Sequence, residues 1–448
     1  MMNNYESYKE TDIPWLGEIP SHWEIKRVKR FFYIFKDISY KKNPVVLSLA
    51  RDKVKIRDIE SNKGQLAENY NNYNSVKKGD LLLNPMDLYS GANCNISNYD
   101  GVISPAYINL RSNKDISVNF FDYIFKLQYT SLAFQSVGKG VSKYNRWTLS
   151  NETLLNYQLP IPPISEQIQI ANYLDWKINE IDKLILIEKE QIKELENLKQ
   201  KYIDKLINSI SSEFKPLKSI FEFGKGLSIT KENLGENGVK CISYGEIHNK
   251  FIFSFSSTNP NLKGLEKTEG ITISKFAELK KNDFIFADTS EDLKGCGNFT
   301  FLEDDVKRVY AGYHTVVAKP ILTFNPRYVA YYLESNKWRK QIRMEVKGIK
   351  VYSITQAILK SSKLQLPEID IQESVSKKID AFVQYKNALI SIMDEKISNL
   401  QALKQSLIAE VVTGKIDVRN ITIPQYEKVD AILETDDIDE LEVQDYGD

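Results

Sequence analysis

Leu195-Glu-Asn-Leu-Lys-Gln200 recurs as Leu400-Gln-Ala-Leu-Lys-Gln405, 205 residues further along the chain. The same offset of 205 joins Gln167 to Gln372 and Asp175 to Asp380. One offset held from Gln167 to Gln200 is the mark of an ungapped internal duplication. Upstream the match continues with small gaps. Leu159-Pro160 answers to Leu366-Pro367, and Gly140-Val-Ser-Lys-Tyr144 to Gly348-Ile-Lys-Val-Tyr352. Val76-Lys-Lys-Gly-Asp-Leu-Leu-Leu83 answers to Leu279-Lys-Lys-Asn-Asp-Phe-Ile-Phe286. The period is too long for a solenoid. It describes two tandem units, each a globular part followed by a helical part.

The helical parts carry a heptad seam. Between Pro163 and Ser209 there is no Pro or Gly. Apolar residues fall at Leu174, Ile178, Ile181, Ile185, Ile192 and Leu195, spaced in threes, fours and one seven. The second copy repeats the pattern at Ile379, Val383, Ile390, Ile397, Leu400 and Leu407. Polar residues interrupt the seam at Glu188 and Lys199, and at Lys386 and Lys404 in the copy. Ser165 is the expected N-cap of the first helix; Asp370 with Glu373 reads as a capping box for the second, and Gly414 as its C-cap. A helix of about 45 residues is roughly 65 Å long, longer than globular cores usually need. The two are therefore expected to pair as a coiled coil.

The globular parts, about 25–160 and 215–366, read as mixed α/β. Short β-rich runs such as Asp80-Leu-Leu-Leu83, Phe284-Ile-Phe286 and Thr315-Val-Val317 are punctuated by Gly, Asn and Asp. Each part ends in a helical stretch, near residues 120–134 and 326–344.

Composition bounds the function. The 448 residues carry 60 basic and 60 acidic side chains. Residues 425–448 hold ten acids and one base, a sum of −9, so the remaining 424 sum to +9. A mildly basic body suits a protein that meets a polyanion. No run of about 18 apolar residues suggests a membrane span, and the N-terminus lacks the order of a secretion signal. Three distant cysteines, Cys94, Cys241 and Cys296, fit a reducing cytoplasm. No catalytic or metal-ligating set emerges. The three histidines, His22, His248 and His314, come with no Cys-x-x-Cys pair, and no Gly-Lys pair completes a phosphate-binding loop. Asn84-Pro85-Met86-Asp87 is similar to the Asn/Asp-Pro-Pro-Tyr/Phe loop of adenine methyltransferases. Met and Asp stand where the second Pro and the aromatic belong, so it reads as a turn at a strand end.

Three stretches together resemble the specificity subunit of type I restriction-modification systems. They are Tyr8-Lys-Glu-Thr-Asp12-Ile-Pro-Trp15-Leu-Gly-Glu-Ile-Pro20-Ser-His-Trp23, Leu159-Pro-Ile-Pro-Pro-Ile-Ser-Glu-Gln167-Ile-Gln-Ile170, and Leu407-Ile-Ala-Glu-Val-Val-Thr-Gly-Lys-Ile-Asp417-Val-Arg419. The resemblance spans Tyr8 to Arg419. The second repeat departs from the pattern: Pro367-Glu-Ile-Asp370 replaces a proline pair, and Gln372 has no Glu before it.

The resemblance implies an α+β fold: two target-recognition domains separated by two long conserved helices, paired as an antiparallel coiled coil with pseudo-two-fold symmetry. On that basis we expect an N-terminal segment and first recognition domain at 1–163 and a central helix at 164–212. A second recognition domain follows at 213–367, a C-terminal helix at 368–419 and a disordered acidic tail at 420–448. The family reads a bipartite, asymmetric site on double-stranded DNA. It holds two methyltransferase subunits, which carry S-adenosylmethionine and modify adenine, and two restriction-translocase subunits, which use ATP and Mg. No cofactor, catalytic residue or membrane association is implied for this chain.

Recognition residues are chosen by physical type. The equivalent segments at 138–146 and 347–353 are basic, Gly-containing and aromatic. Lys139, Lys143, Arg146, Lys347 and Lys350 are candidates to clamp phosphate, and Tyr144, Asn145, Tyr352 and Ser353 to reach base edges. Two other readings stand beside this one: a chain with its own adenine methyltransferase activity, and a coiled-coil scaffold that binds no DNA.

Overall fold

The computed structural model describes residues 4–38, 44–59, 69–86, 88, 93–112, 114–140, 147–267, 270–348 and 351–429. The chain divides into two compact units, one formed by residues 1–189 and 394–448, the other by 190–393. The division falls inside both long helices, Ile164–Asn208 and Ile369–Val412.

In the first unit a four-stranded antiparallel sheet runs in the order Phe32–Ile34, Ile108–Ser112, Leu81–Leu83, Cys94–Ile96. The strand Leu81–Leu83 is covered on both faces. Leu81 and Leu83 enter the main core with Phe120, Phe121 and Ile124 of the helix Val118–Thr130. Leu82 packs the other way, with Leu47, Leu49 and Val76. That is why the run is continuously apolar instead of alternating. The strand is entered by a turn in which Asp80 accepts from the Lys77 N–H at 2.8 Å, with Gly79 at φ +94°. Asp80 also receives Arg111 through two bonds of 2.6–2.7 Å.

The second unit rebuilds this frame from different side chains. Its sheet runs Phe221–Lys225, Thr315–Pro320, Phe284–Ala287, Phe299–Leu302, then Phe253–Phe255, which joins in parallel. Phe284 and Phe286 face the main core, and Ile285 and Ala287 face a second one. Asp283 accepts from the Lys280 N–H at 2.9 Å and from Lys319 Nζ at 2.6 Å, with Asn282 at φ +69°. Gly79 and Asn282 thus fill one left-handed position with the two residues that best tolerate it. A further sheet runs Leu234–Gly235, Lys263–Leu265, Val239–Ile242, Val309–Ala311. Each unit closes its globular part with a two-stranded ladder: Glu24–Arg27 with Gln158–Ile161, and Phe214–Pro216 with Lys363–Gln365.

The long helices pair antiparallel. In the first unit Asp182 meets Lys404 at 2.8 Å and Glu188 meets Lys396 at 2.5 Å. In the second, Glu196 meets Lys386 at 2.5 Å and Tyr202 stacks on Phe382 at 4.7 Å between ring centres. Within each unit one residue number rises as its partner's falls. Leu174, Ile178, Ile181, Ile185 and Leu407 are buried in the first core, with Ile397 and Leu400 packed against it. Ile379 is buried and Val383 packs against the second core, while Ile192, Leu195 and Ile390 are half-buried.

Three local expectations need correction. The helices begin at Ile164 and Ile369, so Ser165 and Asp370 lie inside the first turn and cap nothing. The Pro163 carbonyl already accepts from the Glu166 and Gln167 N–H groups, and the Glu368 carbonyl from those of Ile371 and Gln372. Gly414 does cap: at φ +76° it donates to Val411, and Lys415 donates to Glu410. The tail expected to be disordered from residue 420 is ordered through residue 429 in the first unit. Gln169 Nε2 donates to the Val418 and Ile421 carbonyls. The Asn179 side chain donates to the Glu427 carbonyl and accepts from the Val429 N–H. Ile421 and Ile423 pack on the core, so apolar anchors outweigh the acidic composition there. Residues 430–448 lie outside the described residues.

Candidate nucleic-acid interface

The residues that recur at offset 205 are fasteners. Gln167, 3% exposed, accepts from the Ser117 N–H at 3.2 Å and donates to the Pro162 carbonyl at 2.9 Å. Gln372, equally buried, accepts from the Asn325 N–H at 2.9 Å and donates to the Pro367 carbonyl at 2.7 Å. About two turns later, Asp175 accepts from the Tyr123 hydroxyl at 2.6 Å, and Asp380 from that of Tyr331 at 2.5 Å. Each long helix is tied to its own globular part by the same pair of side chains. In the second unit Arg327 adds a bidentate bond to Asp380 at 2.7–2.9 Å, which raises its own pKa further.

The missing Glu before Gln372 now has a reason. Glu166, 5% exposed, accepts from the Tyr5 hydroxyl at 2.5 Å and from Trp23 Nε1 at 2.9 Å, and its other oxygen meets His22 Nε2 at 2.8 Å. It anchors the N-terminal segment. Burial first, then Glu166, pushes the Tyr5 phenol well up. The corresponding position in the second helix, Ile371, is exposed and apolar, so its side chain accepts no such bonds. Close by, Asp417 binds Arg419; burial raises the Asp417 pKa, but these bonds outweigh it and hold the group below its ordinary value.

The two segments singled out for recognition form the same corner in each unit. In the first, the strand Leu81–Leu83 runs into Asn84-Pro85, and Leu149 N–H donates to the Pro85 carbonyl at 2.8 Å. Lys139 and Thr148 exchange backbone bonds of 2.8–2.9 Å, closing a loop whose middle, 141–146, lies outside the described residues. Lys143, Tyr144, Asn145 and Arg146 fall there. Lys139 is exposed at its base. Asn84 spends its side-chain oxygen on the Met86 N–H at 3.0 Å, as a strand-end turn requires.

In the second unit Ile354 N–H donates to the Asp288 carbonyl at 2.7 Å, the counterpart of the bond to Pro85. Thr289–Ser290 pairs antiparallel with Tyr352–Ser353, and Lys347 bridges Ser353. Lys347 and Ser353 are exposed; Tyr352 is half-buried against the core; Lys350 lies outside the described residues. Gly140 and Gly348 share one cause. An added Cβ would stand 2.6 Å from the Trp147 ring in the first case and 2.2 Å from the Val351 carbonyl oxygen in the second.

Beside this corner the second unit opens a cleft of about 920 Å³, lined by the helix Tyr244–Asn249, the 289–295 loop, His314, Arg339, Arg343 and Val351. Its floor is a relay of polar groups that starts at the buried Arg339 and continues through half-buried Asn298, His248 and Thr289. Arg339 donates to the Asn298 oxygen at 2.9 Å; the Asn298 amide meets His248 Nδ1 at 2.9 Å; His248 Nε2 meets the Thr289 carbonyl at 2.9 Å. A carbonyl can only accept, so Nε2 carries the proton and Nδ1 accepts. Burial lowers the Arg339 pKa to about 10. At the rim His314 sits at φ +54° and meets Asp288 at 3.1 Å, with Tyr244 edge-on at 5.3 Å. A left-handed histidine next to a cleft is strain of the kind that accompanies function. The sequence showed His248 and His314 as isolated histidines and Val351 within the 347–353 segment; that they meet Asn298, Arg339 and Arg343 at one cleft was not legible. Among the described residues no group of three or more His, Cys, Asp or Glu could hold a metal ion, and no helix is long and apolar enough to cross a membrane.

A duplicated frame, with matched fasteners and dissimilar loops on it, defines a class of two-module proteins. The comparison with known families fits that class: the type I restriction modification DNA specificity domain matches residues 20–197 and again 210–399. The chain belongs to that family. It is 22% identical over 437 residues to the type I restriction enzyme MjaVIII specificity subunit of Methanocaldococcus jannaschii, covering 90% of this chain and 95% of the relative. It is 23% identical over 452 residues to the putative MjaX specificity subunit of the same organism, covering 92% and 97%. A solved structure described as the basis of complex assembly and conformational transition of the type I R-M system shares the fold. Its TM-score is 0.62 at 14% identity, over 88% of this chain and 98% of that one.

Proposed function

We propose that this chain is the DNA-reading subunit of a type I restriction-modification assembly and that each globular part reads one half of a split, asymmetric site. The observation that carries this reading is the pairing of identical fasteners, Gln167 with Gln372 and Asp175 with Asp380, under dissimilar loops. A shared frame lets two identical methyltransferase subunits be held, related by a pseudo-two-fold axis. Different loops let each half-site differ. Lys139, Lys143, Arg146, Lys347 and Lys350 supply phosphate contacts, and Tyr144, Asn145, Tyr352 and Ser353 face bases. Chemistry belongs to the partners: S-adenosylmethionine in the methyltransferases, ATP and Mg in two restriction-translocase subunits. The assembly works in the cytoplasm, and this chain is not itself catalytic.

The test is a gel shift of the chain co-purified with a methyltransferase subunit, across a salt series. Lys139→Ala and Lys347→Ala should each reduce the slope of log affinity against log salt by about one. Both should leave the preferred sequence as it is. Titration of the chain alone with S-adenosylmethionine should give no heat. Binding of that cofactor by the lone chain would favour a catalytic reading, and an assembly that ignores DNA would favour a scaffold.

A further inference from the structure

We propose that the loop 290–295 of the second unit is a base-reading element, with Glu291 and Lys294 as its specificity-determining side chains, directed at a G·C pair. The inference rests on the DNA-reading function proposed above and names the residues that perform it in one half-site.

The loop is held with unusual care for an exposed one. Ser290, 4% exposed, donates from Oγ to the Asp292 carbonyl at 2.7 Å. Asp292 Oδ1 accepts from the Gly295 N–H at 2.6 Å, and Cys296 Sγ lies 3.4 Å from the Asp292 carbonyl. Arg343 Nη2 donates to the Lys294 carbonyl at 3.1 Å. The ladder of Thr289–Ser290 with Tyr352–Ser353 fixes one end, and the Asn298-to-Gly295 bond the other.

The side chains at its tip do not share in this. Glu291 and Lys294 are exposed, line the cleft, and form no hydrogen bond or ion pair among the described residues. The backbone bonds fix the loop and leave both charged ends exposed, which lowers the ordering cost of binding. The chemistry of each group then selects its target. A carboxylate on a face that meets phosphate is repelled unless it accepts from a base amino group. In the major groove the amino group that suits it is cytosine N4. An ammonium on the same tip suits guanine O6 and N7. Together they fit a cytosine and a guanine, in one pair or in adjacent ones.

The experiment maps methylated adenines by single-molecule sequencing in cells expressing the full chain with a methyltransferase subunit. The wild-type target should contain G·C in the half-site read by the second unit. Glu291→Ala and Lys294→Ala should each relax that position, with discrimination falling roughly ten- to a hundredfold. The other half-site and the spacer should stay as they are. Glu291→Gln, which keeps the shape and pairs with adenine instead, should move the preference toward A. An unchanged target in all three variants overturns the inference, as does a wild-type half-site made only of A·T pairs. Loss of all methylation in every variant would assign the loop to folding and also overturn it. A wild-type assembly that methylates no defined sequence would instead overturn the DNA-reading function itself.

Discussion

Glu166 ties the N-terminal segment to the first long helix. Three donors from the N-terminal segment converge on one buried carboxylate. Truncating it orphans the Trp23 indole N–H and the Tyr5 hydroxyl, both buried. Glu166→Ala should therefore cost about 2–4 kcal/mol, since a lost bond to a charged group adds to the desolvation of donors left behind. Glu166→Gln keeps an acceptor and should cost less than half as much. Denaturant melts of the three proteins decide it; equal midpoints would mean the N-terminal segment is not anchored there. The sequence offered part of this. The motif Ser165-Glu166-Gln167 flagged the family, and the departure at Ile371 flagged a difference. Only the fold shows that the Glu serves a segment some 140 positions away, because no local pattern encodes a bond across that separation.

At the scale of elements, the long helices were the most legible part. A seam repeating every 3.5 residues with no Gly or Pro leaves a chain few alternatives. Its polar interruptions were legible as positions but not as partners. Glu188 turns to Lys396, Lys386 to Glu196 and Lys404 to Asp182, whereas Lys199 meets Glu334 of the globular part at 3.3 Å. The matched lysines Lys199 and Lys404 thus have different partners, which a repeat alignment cannot reveal. Lys386 is 7% exposed while Glu196 is 53% exposed. Removing the lysine leaves a carboxylate that water already reaches, so Lys386→Leu should change stability by less than about 1 kcal/mol or increase it. Chemical denaturation measures this; a loss above about 3 kcal/mol would show that the pair holds the helices together instead of selecting their register. The short strands were legible where both faces are buried, as at Leu81–Leu83, and illegible where two residues suffice, as at Thr289–Ser290.

For the whole molecule, the duplication in the sequence reappears as a shared frame, while the cleft, the relay from Arg339 to Thr289 and the 290–295 loop belong to one unit's own inventory. Shared frame and dissimilar loops are thus carried by different residues, and the proposal that each globular part reads one half-site can be put to a single measurement. Residues 215–366 are replaced by the corresponding segment of another family member, leaving Gln372 and Asp380 in place, and methylated adenines are mapped genome-wide in cells with the methyltransferase subunit. The account predicts that one half of the target changes while the other half remains as in the wild type. A change in both halves, or in neither, would contradict it.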